Sequence, residues 1–310
     1  MPGTELQIVE ASPKDLEELH PFLSQALEYD SFSPDLLHQK LFFNPHPGRD
    51  VYHTLLARRS GRLIGAMQHV LRPDAGLAWL GLFAVEQDHR RQGVARKLFD
   101  AVIHAWKQKS VRGGELMTIP TNYLLPGIDP RYTPAVCFVE SAGFVSKGPR
   151  ANMRCLLDRD LATDKEEAAL ADEGIEIRRA QTGDWYLIEQ FFARQFGEGW
   201  LCETGMGMAN RPPTVHLAIR DREIIASAAH STMNQEWGNF GPMGTTEPCR
   251  GKGIGRVLLF RCMSDLRAAG FRSAVIPWVG PYRFYCRLLD CRIERVLWQY
   301  RLELNLTDGR

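Results

Sequence analysis

The chain has 310 residues, about twice the length of an ordinary domain, so its length predicts two domains. Lys and Arg total 38 against 37 Asp and Glu, and the net charge of +1 argues against nucleic acid as a partner, because phosphate-backbone binding needs clustered positive charge. No segment reaches the roughly 20 apolar residues of a membrane span, and no basic-then-apolar leader opens the sequence. We therefore expect a cytoplasmic protein with no membrane partner.

The first half of the chain alternates strands with helices, which predicts mixed α/β units rather than a bundle or a sandwich. Its predicted elements are a strand at 6–11, helices after 12–15 and after 33–34, a hairpin of 54–57 with 63–70, an apolar strand at 78–85, an amphipathic helix after residue 93 and a strand at 115–119.

The same order returns after residue 174. The second set is a strand at 175–180, a helix at 184–192, a hairpin of 215–220 with 223–230, a strand at 239–245, a helix at 256–269 stopped by Gly270, and a strand at 273–276. Residues 159–174 between the halves are acidic and Ala-rich, which is typical of a linker with a helical turn. The sequence therefore predicts a duplication, with domains at 1–158 and 175–310.

The seven cysteines are scattered along the chain, and none of them forms a C-x-x-C pair. This spacing offers neither a zinc-ligand pattern nor a disulfide framework. We expect mostly buried, reduced thiols, as in a cytosolic protein, and no metal site.

Each half has a polar turn between an apolar strand and an amphipathic helix. The turns read Arg90-Arg91-Gln92-Gly93-Val94-Ala95 and Arg250-Gly251-Lys252-Gly253-Ile254-Gly255. Small residues at a helix start leave backbone N–H groups exposed, and the helix dipole adds positive charge, so such a turn binds phosphate groups. A Walker loop is excluded because Gly253 stands where Ser or Thr is needed, and a Rossmann fingerprint is excluded because residue 256 is Arg.

The pattern Arg-x-x-Gly-x-Gly/Ala after an apolar strand resembles the signature of the GCN5-related N-acetyltransferase (GNAT) superfamily. Its two occurrences extend the resemblance over nearly the whole chain. The resemblance implies an α/β (α+β) fold of two tandem domains, each a mixed, mostly antiparallel twisted sheet flanked by helices. It also implies a cofactor cleft where strands four and five splay apart, and Pro242, which cannot donate a strand hydrogen bond, fits such an interruption.

Acetyl-CoA is the cofactor that the resemblance implies, with its diphosphate on the turn and its pantetheine arm along the preceding strand. The implied cofactor-binding residues of the first half are Phe83, Ala84, Val85, Arg90, Arg91, Gln92, Gly93, Val94, Ala95 and Arg96. Those of the second half are Met243, Gly244, Thr245, Arg250, Gly251, Lys252, Gly253, Ile254, Gly255 and Arg256. A backbone N–H near Met243 or Gly244 is the candidate donor to the thioester oxygen.

Acetyl transfer to an amine needs a base, and the departing thiolate benefits from a proton donor. In the family that donor is often a Tyr after the fifth strand; Tyr285 matches it, whereas Val139 stands at the corresponding position of the first half. A Tyr that only packs the core is the alternative for Tyr285. Glu236 and His230 are the candidate bases. We therefore predict that the second domain is catalytic and the first is degenerate or regulatory.

Two aromatic segments are candidates for the acceptor side of the clefts. In the first half, Tyr123 and Tyr132 lie in a long loop, where they line an acceptor path, supply a displaced acid or pack a domain interface. In the second half, residues 196–200 combine aromatic and acidic side chains, which suits a cationic amine or a core position equally.

Together these features predict an acetyl-CoA-dependent N-acetyltransferase that acts on a small-molecule primary amine by direct attack in a ternary complex, as a monomer or homodimer. A non-catalytic acyl-CoA-binding or regulatory module is the alternative from another class. Transfer of a different acyl chain, or transfer to an O-acceptor, also stays open because the turn binds the CoA moiety and does not read the acyl group.

Overall fold

The computed structural model describes residues 5–304, which divide into two compact units. Unit 1 contains the residues up to 150 and those from 296 onward, and unit 2 contains residues 151–295. Residues 1–4 and 305–310, which the predicted domains include, lie outside the described part. The division also differs from the predicted boundaries, because residues 151–174 pack with unit 2 and residues 296–304 with unit 1.

The elements of unit 1 follow the predicted order closely. They are β1 (Leu6–Glu10), α1 (Leu16–Ala26), α2 (Pro34–Phe42), β2 (Val51–Arg59), β3 (Arg62–Arg72), β4 (Leu77–Val85), α3 (Val94–Gln108), β5 (Gly113–Leu116) and α4 (Thr133–Ser141), and β6 (Val145–Leu156) runs from unit 1 into unit 2.

Unit 2 repeats this order with one additional helix, α5, before its first strand. Its elements are α5 (Asp164–Asp172), β7 (Glu176–Arg179), α6 (Trp185–Gln195), α7 (Glu198–Ala209), β8 (Val215–Arg220), β9 (Glu223–His230), β10 (Phe240–Thr245), α8 (Ile254–Ala268), β11 (Ser273–Ile276) and α9 (Tyr282–Leu288), and β12 (Cys291–Glu303) runs from unit 2 into unit 1.

The sheets are mixed and mostly antiparallel, which confirms the predicted fold class. In unit 1, β1 to β4 pair antiparallel in chain order, β5 pairs parallel to β4, and the end of β12 pairs antiparallel to β5. In unit 2, β7 to β10 pair antiparallel in chain order, and β11 pairs antiparallel to the end of β6. Each unit therefore takes its last strand segment from the other half of the sequence.

The amphipathic helix after each turn covers its sheet. In α3 the residues Val94, Leu98, Phe99, Val102 and Trp106 are buried at helical spacing. In α8 the burial is more continuous, and the helix ends just before Gly270, which has a left-handed φ of +95° as the predicted stop requires. These two helices hold the end of each turn against a packed core.

The fourth and fifth strands of each unit part after a short contact. In unit 1 they pair only at Trp79–Glu115 and Leu80–Leu116, while β4 continues to Val85. In unit 2 the contact between β10 and β11 is a bridge of Asn239 with Val275. The register of β10 also shifts between Phe240 and Met243, which confirms the interruption predicted at Pro242.

The prediction of reduced thiols is wrong for two of the cysteines. Cys155 and Cys291 form a disulfide within unit 2, where the Leu156 N–H donates to the Asp290 carbonyl at 2.9 Å and brings the two segments side by side. A sequence separation of 136 residues cannot be recognised from local spacing. Cys249 and Cys262 are buried free thiols as expected, whereas the free cysteines 137 and 286 are exposed and 202 is half-buried.

Within residues 5–304, no helix combines the length and the apolar character needed to cross a bilayer.

Candidate functional site

The two turns have the same backbone conformation. The second residue of each turn has a positive φ, +61° at Arg91 and +83° at Gly251. The fourth residue, which precedes the helix, also has a positive φ, +79° at Gly93 and +84° at Gly253. The agreement extends to Arg91, where glycine would be the easier choice, so the backbone shape has been kept in both halves.

The leading Arg of each turn ties the turn to the preceding strand. The Arg90 Nε donates to the Val85 carbonyl at 3.0 Å, and the Arg250 Nε donates to the Thr245 carbonyl at 3.3 Å. No side chain caps α3 or α8. Because the first N–H groups of an α-helix have no partner within the helix, both turns present donors suited to an anion.

Unit 1 contains a cavity of about 460 Å³ beside its turn, a size within the range of small-molecule sites. Nine of the ten cofactor-binding residues predicted for this half line it: Phe83, Ala84, Val85, Arg90, Arg91, Gly93, Val94, Ala95 and Arg96. The tenth, Gln92, does not line the cavity; its side chain bonds to Arg59 and to the Asp88 carbonyl. The structure therefore brings the predicted turn and strand together around one space.

Residues along the whole length of helix α4 line this cavity. Near the end of α4, the Arg96 Nη2 donates to the Ser141 carbonyl at 3.3 Å, and the Arg96 guanidinium lies 5.8 Å from the centroid of the Phe138 ring. Tyr132 directly precedes the start of the helix and also lines the cavity. The nine residues of α4 span about 14 Å. The basic turn and Tyr132 thus lie at opposite ends of the helix.

The Tyr132 end carries polar groups that sequence reasoning only partly found. The Tyr132 hydroxyl donates to the Asp30 Oδ2 at 2.7 Å and accepts from the Tyr29 N–H at 2.9 Å. Asp30 and Asp129 line the cavity as well, and Arg131 holds the Asp129 carboxylate with contacts as short as 2.6 Å. No local pattern marks Asp30, because it lies 60 residues before the turn in the sequence. Tyr123, the other predicted aromatic, is buried outside the cavity lining.

The turn of unit 2 differs in its charge balance. Lys252 forms an ion pair with Glu173, which directly follows α5, and Arg256 forms one with Glu166 on α5. Chiefly the hydrogen bond from Arg256 lowers the pKa of the Glu166 carboxyl below its ordinary value. By contrast, Arg90, Arg91 and Arg96 of unit 1 form no ion pair with a carboxylate among the described residues. Carboxylates of the chain itself thus pair with two of the three basic side chains of the second turn.

Aromatic rings also pack against the predicted cofactor surface of unit 2. A Cβ added at Gly244 would lie 2.3 Å from the Phe196 ring, which stacks on Trp200 with 4.8 Å between centroids. A Cβ added at Gly255 would lie 3.5 Å from the Phe284 ring. The segment 196–200 therefore covers one face of β10, where the pantetheine arm was predicted.

Tyr285 is buried in the core of unit 2. Its ring packs against Phe240 and Phe284, with centroids 6.2 and 5.2 Å away. Burial raises the pKa of its hydroxyl, so the group stays protonated, and no hydrogen bond links it to another described residue. This environment suits a core residue, and the role of proton donor stays a prediction.

The two candidate bases lie in different surroundings. Glu236 is exposed on a 3-10 turn, Gln235–Trp237, before β10. His230 is buried, and its Nε2 lies 3.1 Å from the Asp265 Oδ2. Asp265 is eleven residues beyond Ile254, about 16 Å along α8 from the turn. His230 thus belongs to a network inside unit 2 that lies away from the turn.

That network is the one metal-like arrangement among residues 5–304. The donor atoms of His216, His230 and Asp265 lie within 4.8 Å of one another. Burial alone would raise the Asp265 pKa, but hydrogen bonds with His216, His230 and Arg179 outweigh it and hold the pKa far below its ordinary value. Because the Arg179 guanidinium already pairs with this carboxylate at 2.7 Å, we interpret the cluster as a buried ion network.

Comparison with known proteins agrees with this geometry. Residues 15–122 match the family model described as acetyltransferase (GNAT) family. No curated protein sequence gives a significant match.

Three solved structures share the fold of the chain. The first is the GCN5-related glucosamine N-acetyltransferase region of a fungal multi-domain GH3 beta-N-acetylglucosaminidase, with a TM-score of 0.80 and 17% identity over 97% of this chain and 38% of that one. A GCN5-related N-acetyltransferase from Sphaerobacter thermophilus has a TM-score of 0.72 and 17% identity over 98% and 97% of the two chains. A tandem GNAT protein from the clavulanic acid biosynthesis pathway has a TM-score of 0.70 and 17% identity over 99% and 100%.

In each unit an uncapped helix start follows the fourth strand, which parts from the fifth strand after a short contact, and this arrangement suits a phosphate-bearing ligand. Residues 15–122 match the GNAT acetyltransferase family model, and the whole chain has the fold of a tandem GNAT protein. This family and fold support acyl-CoA-dependent acetyl transfer in general. The chain spans 38% of the length of the fungal structure that it matches.

Proposed function

We propose that this protein is an acetyl-CoA-dependent N-acetyltransferase for a small primary amine, and that unit 1 holds the coenzyme. The observation that carries the proposal is the unit 1 cavity, in which an uncapped helix start, three arginines and the end of β4 line one space. The sequence favoured the second domain. The ion pairs of Lys252 and Arg256 and the rings against Gly244 and Gly255 move our proposal to unit 1.

The residues of unit 1 fit the coenzyme. The backbone N–H groups of residues 93–96 would hold the diphosphate, with Arg91 and Arg96 adding positive charge. The part of β4 beyond Leu80, which has no pairing with β5, would hold the pantetheine arm. Leu82, Phe83, Leu124 and other apolar side chains line the cavity and would exclude water from the reacting groups.

When bound, acetyl-CoA supplies a thioester carbonyl that a neutral amine attacks, so that a C–N bond forms, the C–S bond breaks and one amine proton leaves on sulfur. The chain must orient the amine and provide donors near the carbonyl oxygen and the sulfur. Tyr132, at the end of α4 away from the turn, is the hydroxyl of unit 1 that is placed for such a role. Tyr285, Glu236 and His230 remain the predicted acid and bases of a second site.

An acyl-CoA-binding module without catalysis is the second candidate. It is favoured by Val139, which stands where the family often has a Tyr and is fully buried in the core of unit 1. Other acyl chains and O-acceptors also fit the coenzyme-binding turn. A cytoplasmic location and a monomeric or homodimeric state are further proposals from the sequence.

Calorimetric titration with acetyl-CoA tests the site. We expect Arg96→Glu to weaken binding at least about tenfold, because it reverses a charge at the diphosphate. Lys97→Glu is the matched control; it makes the same change at the next residue, which is exposed and outside the cavity lining, so binding should change less than about threefold. Equal effects of the two variants would show that the arginine does not contact the coenzyme.

A thiol-release assay then separates the two candidate functions. The amine panel should include glucosamine and simple alkyl and aryl amines. Coenzyme binding with amine-dependent thiol release supports the transferase. Binding without release across the panel supports the non-catalytic module, and the absence of binding contradicts both.

A further inference from the structure

We propose that Gln68, a buried residue of β3 outside the cavity lining, is a positioning residue of the unit 1 cleft. Its side-chain amide fixes a bulge in β4, and this bulge turns the Phe83 N–H toward the cleft, where the N–H donates to the acyl carbonyl of a bound coenzyme thioester. The inference rests on the proposed function of unit 1. It adds a residue that no sequence motif marks.

The first argument is the bulge itself. Strands β3 and β4 pair at Met67–Phe83 and at His69–Leu80, so between these pairs Gln68 alone faces two residues of β4. This two-against-one count defines a β-bulge, which leaves its extra residue without a partner in the strand ladder. A buried N–H in that position needs an acceptor from elsewhere.

The second argument is that the Gln68 side chain occupies the bulge. Its Oε1 accepts the Leu82 N–H at 3.3 Å, and it lies so close to Gly81 that a Cβ added there would be 2.2 Å away. The Nε2 of the same amide donates at 2.5 Å to the Lys40 carbonyl near the end of α2. Both halves of the buried amide are therefore paired, and the side chain is held between α2 and β4.

The third argument is the direction of the backbone groups that follow the bulge. The Glu86 N–H donates to the Ile64 carbonyl at 2.9 Å, so residue 86 faces β3. Because hydrogen-bonded and non-hydrogen-bonded pairs alternate in an antiparallel ladder, the N–H groups of Phe83 and Val85 face away from β3. On that side β5 pairs with β4 only as far as Leu80, so these groups face the open cleft.

The bulge is what gives Phe83 this direction. The Leu80 carbonyl accepts the Met117 N–H at 2.7 Å and therefore faces β5. In a regular strand the next residue facing that way would be Leu82, but its N–H bonds to Gln68 instead, and the next is Phe83. Phe83 thus carries the first N–H beyond the point where the strands part, and it lines the cavity. A donor fixed there suits a carbonyl oxygen.

Unit 2 has the same bulge without a polar side chain. The register of β10 shifts between Phe240 and Met243, so Ala229 of β9 faces two residues, and the second of them is Pro242. Pro has no N–H, so this bulge needs no acceptor from β9. Ala229 stands where Gln68 stands in unit 1. An acceptor is therefore present in the half whose bulge has an N–H at this position and absent in the half whose bulge has none.

The probes that test this are acetyl-CoA and S-ethyl-CoA, which carry the same two carbons but differ in the carbonyl oxygen. Each is titrated by calorimetry into the full chain. We expect acetyl-CoA to bind about fivefold more tightly than S-ethyl-CoA. Gln68→Met keeps the length of the side chain and removes the acceptor. It should weaken acetyl-CoA binding about fivefold and leave S-ethyl-CoA binding within about twofold.

Infrared spectroscopy gives a second readout. A hydrogen bond lowers the stretching frequency of a carbonyl, so isotopically labelled acetyl-CoA should absorb at a lower frequency when bound than when free. Gln68→Met should remove most of this shift. Gln68→Glu is the matched control, because its carboxyl group keeps an acceptor oxygen at the same distance along the side chain. It should keep both the frequency shift and the preference for acetyl-CoA.

Equal weakening of both ligands in Gln68→Met would show that the residue only supports the fold, and would overturn the inference. Unchanged binding of both would overturn it as well. An unshifted carbonyl band in the unsubstituted chain overturns it without any variant, so the test holds even if Gln68→Met does not fold. Failure of the unsubstituted chain to bind either ligand would instead defeat the proposed function.

Discussion

The clearest test of which turn binds the coenzyme is a pair of matched substitutions, Gly93→Asp and Gly253→Asp. Both glycines precede a helix with nearly equal φ, +79° and +84°, and an added Cβ at either position meets no atom within 4 Å. Asp tolerates the left-handed region better than most residues, so each variant should lose only about 1 kcal/mol of folding stability. The two variants therefore differ mainly in what the new carboxylate repels.

The expected loss of affinity follows from the charge placed at the turn. The turn is solvent-exposed, so a unit charge about 4 Å from a phosphate is repelled by about 1 kcal/mol in the high-dielectric limit. A diphosphate carries about two charges, which gives about 2 kcal/mol, or a dissociation constant about 30-fold larger. If unit 1 holds the coenzyme, Gly93→Asp shows this loss and Gly253→Asp does not.

Isothermal titration with acetyl-CoA measures affinity, and thermal unfolding of both variants checks that stability changes equally. An affinity loss confined to Gly253→Asp would refute the assignment to unit 1 and restore the second domain as the binding site. A loss of affinity in both variants, with two binding sites per chain in the unsubstituted protein, would show that the ion pairs at the second turn do not prevent coenzyme binding there.

Three further predictions concern the remaining features. Replacing both Glu166 and Glu173 by Gln should raise the coenzyme stoichiometry from one to two per chain in calorimetry, if these carboxylates block the second turn; an unchanged value means that the aromatic rings suffice. Burial lowers the pKa of His69 to about 3. The imidazole therefore binds its proton more tightly in the unfolded chain, and its contribution makes the free energy of unfolding fall by about 1.4 kcal/mol per pH unit from about pH 6.5 toward pH 3. Urea unfolding at several pH values measures this slope, and His69→Asn should remove the contribution of this one proton. Alkylation of the denatured, unreduced chain should label five thiols, and reduction should make Cys155 and Cys291 available for labelling as well. Reduction should also lower the free energy of unfolding by about 2–5 kcal/mol. Labelling of all seven cysteines before reduction would show that there is no disulfide.

The repeated turn was predictable because its signals are local. Arg-x-x-Gly at the end of an apolar strand specifies a backbone shape and a helix start within a few residues, and the structure has that shape in both halves. The bulge at Pro242 and the stop at Gly270 were predictable for the same reason, since each depends on the backbone limits of one residue.

Features that depend on distant residues were not predictable in this way. The segments around Cys155 and Cys291 meet because the ends of β6 and β12 are exchanged between the halves, which no local pattern records. Helix α7 was missed because its Gly- and Met-containing segment lacks a clear apolar stripe.

By itself the sequence determined the α/β class, the repeated order of elements and the backbone shape of the two turns, because strand periodicity, turn glycines and helix starts are properties of short segments. Only the tertiary structure decided how those turns differ. The ion pairs at the turn of unit 2 and the Asp30–Tyr132 hydrogen bond join side chains that are 79 to 102 residues apart in the chain, and packing alone brings them together.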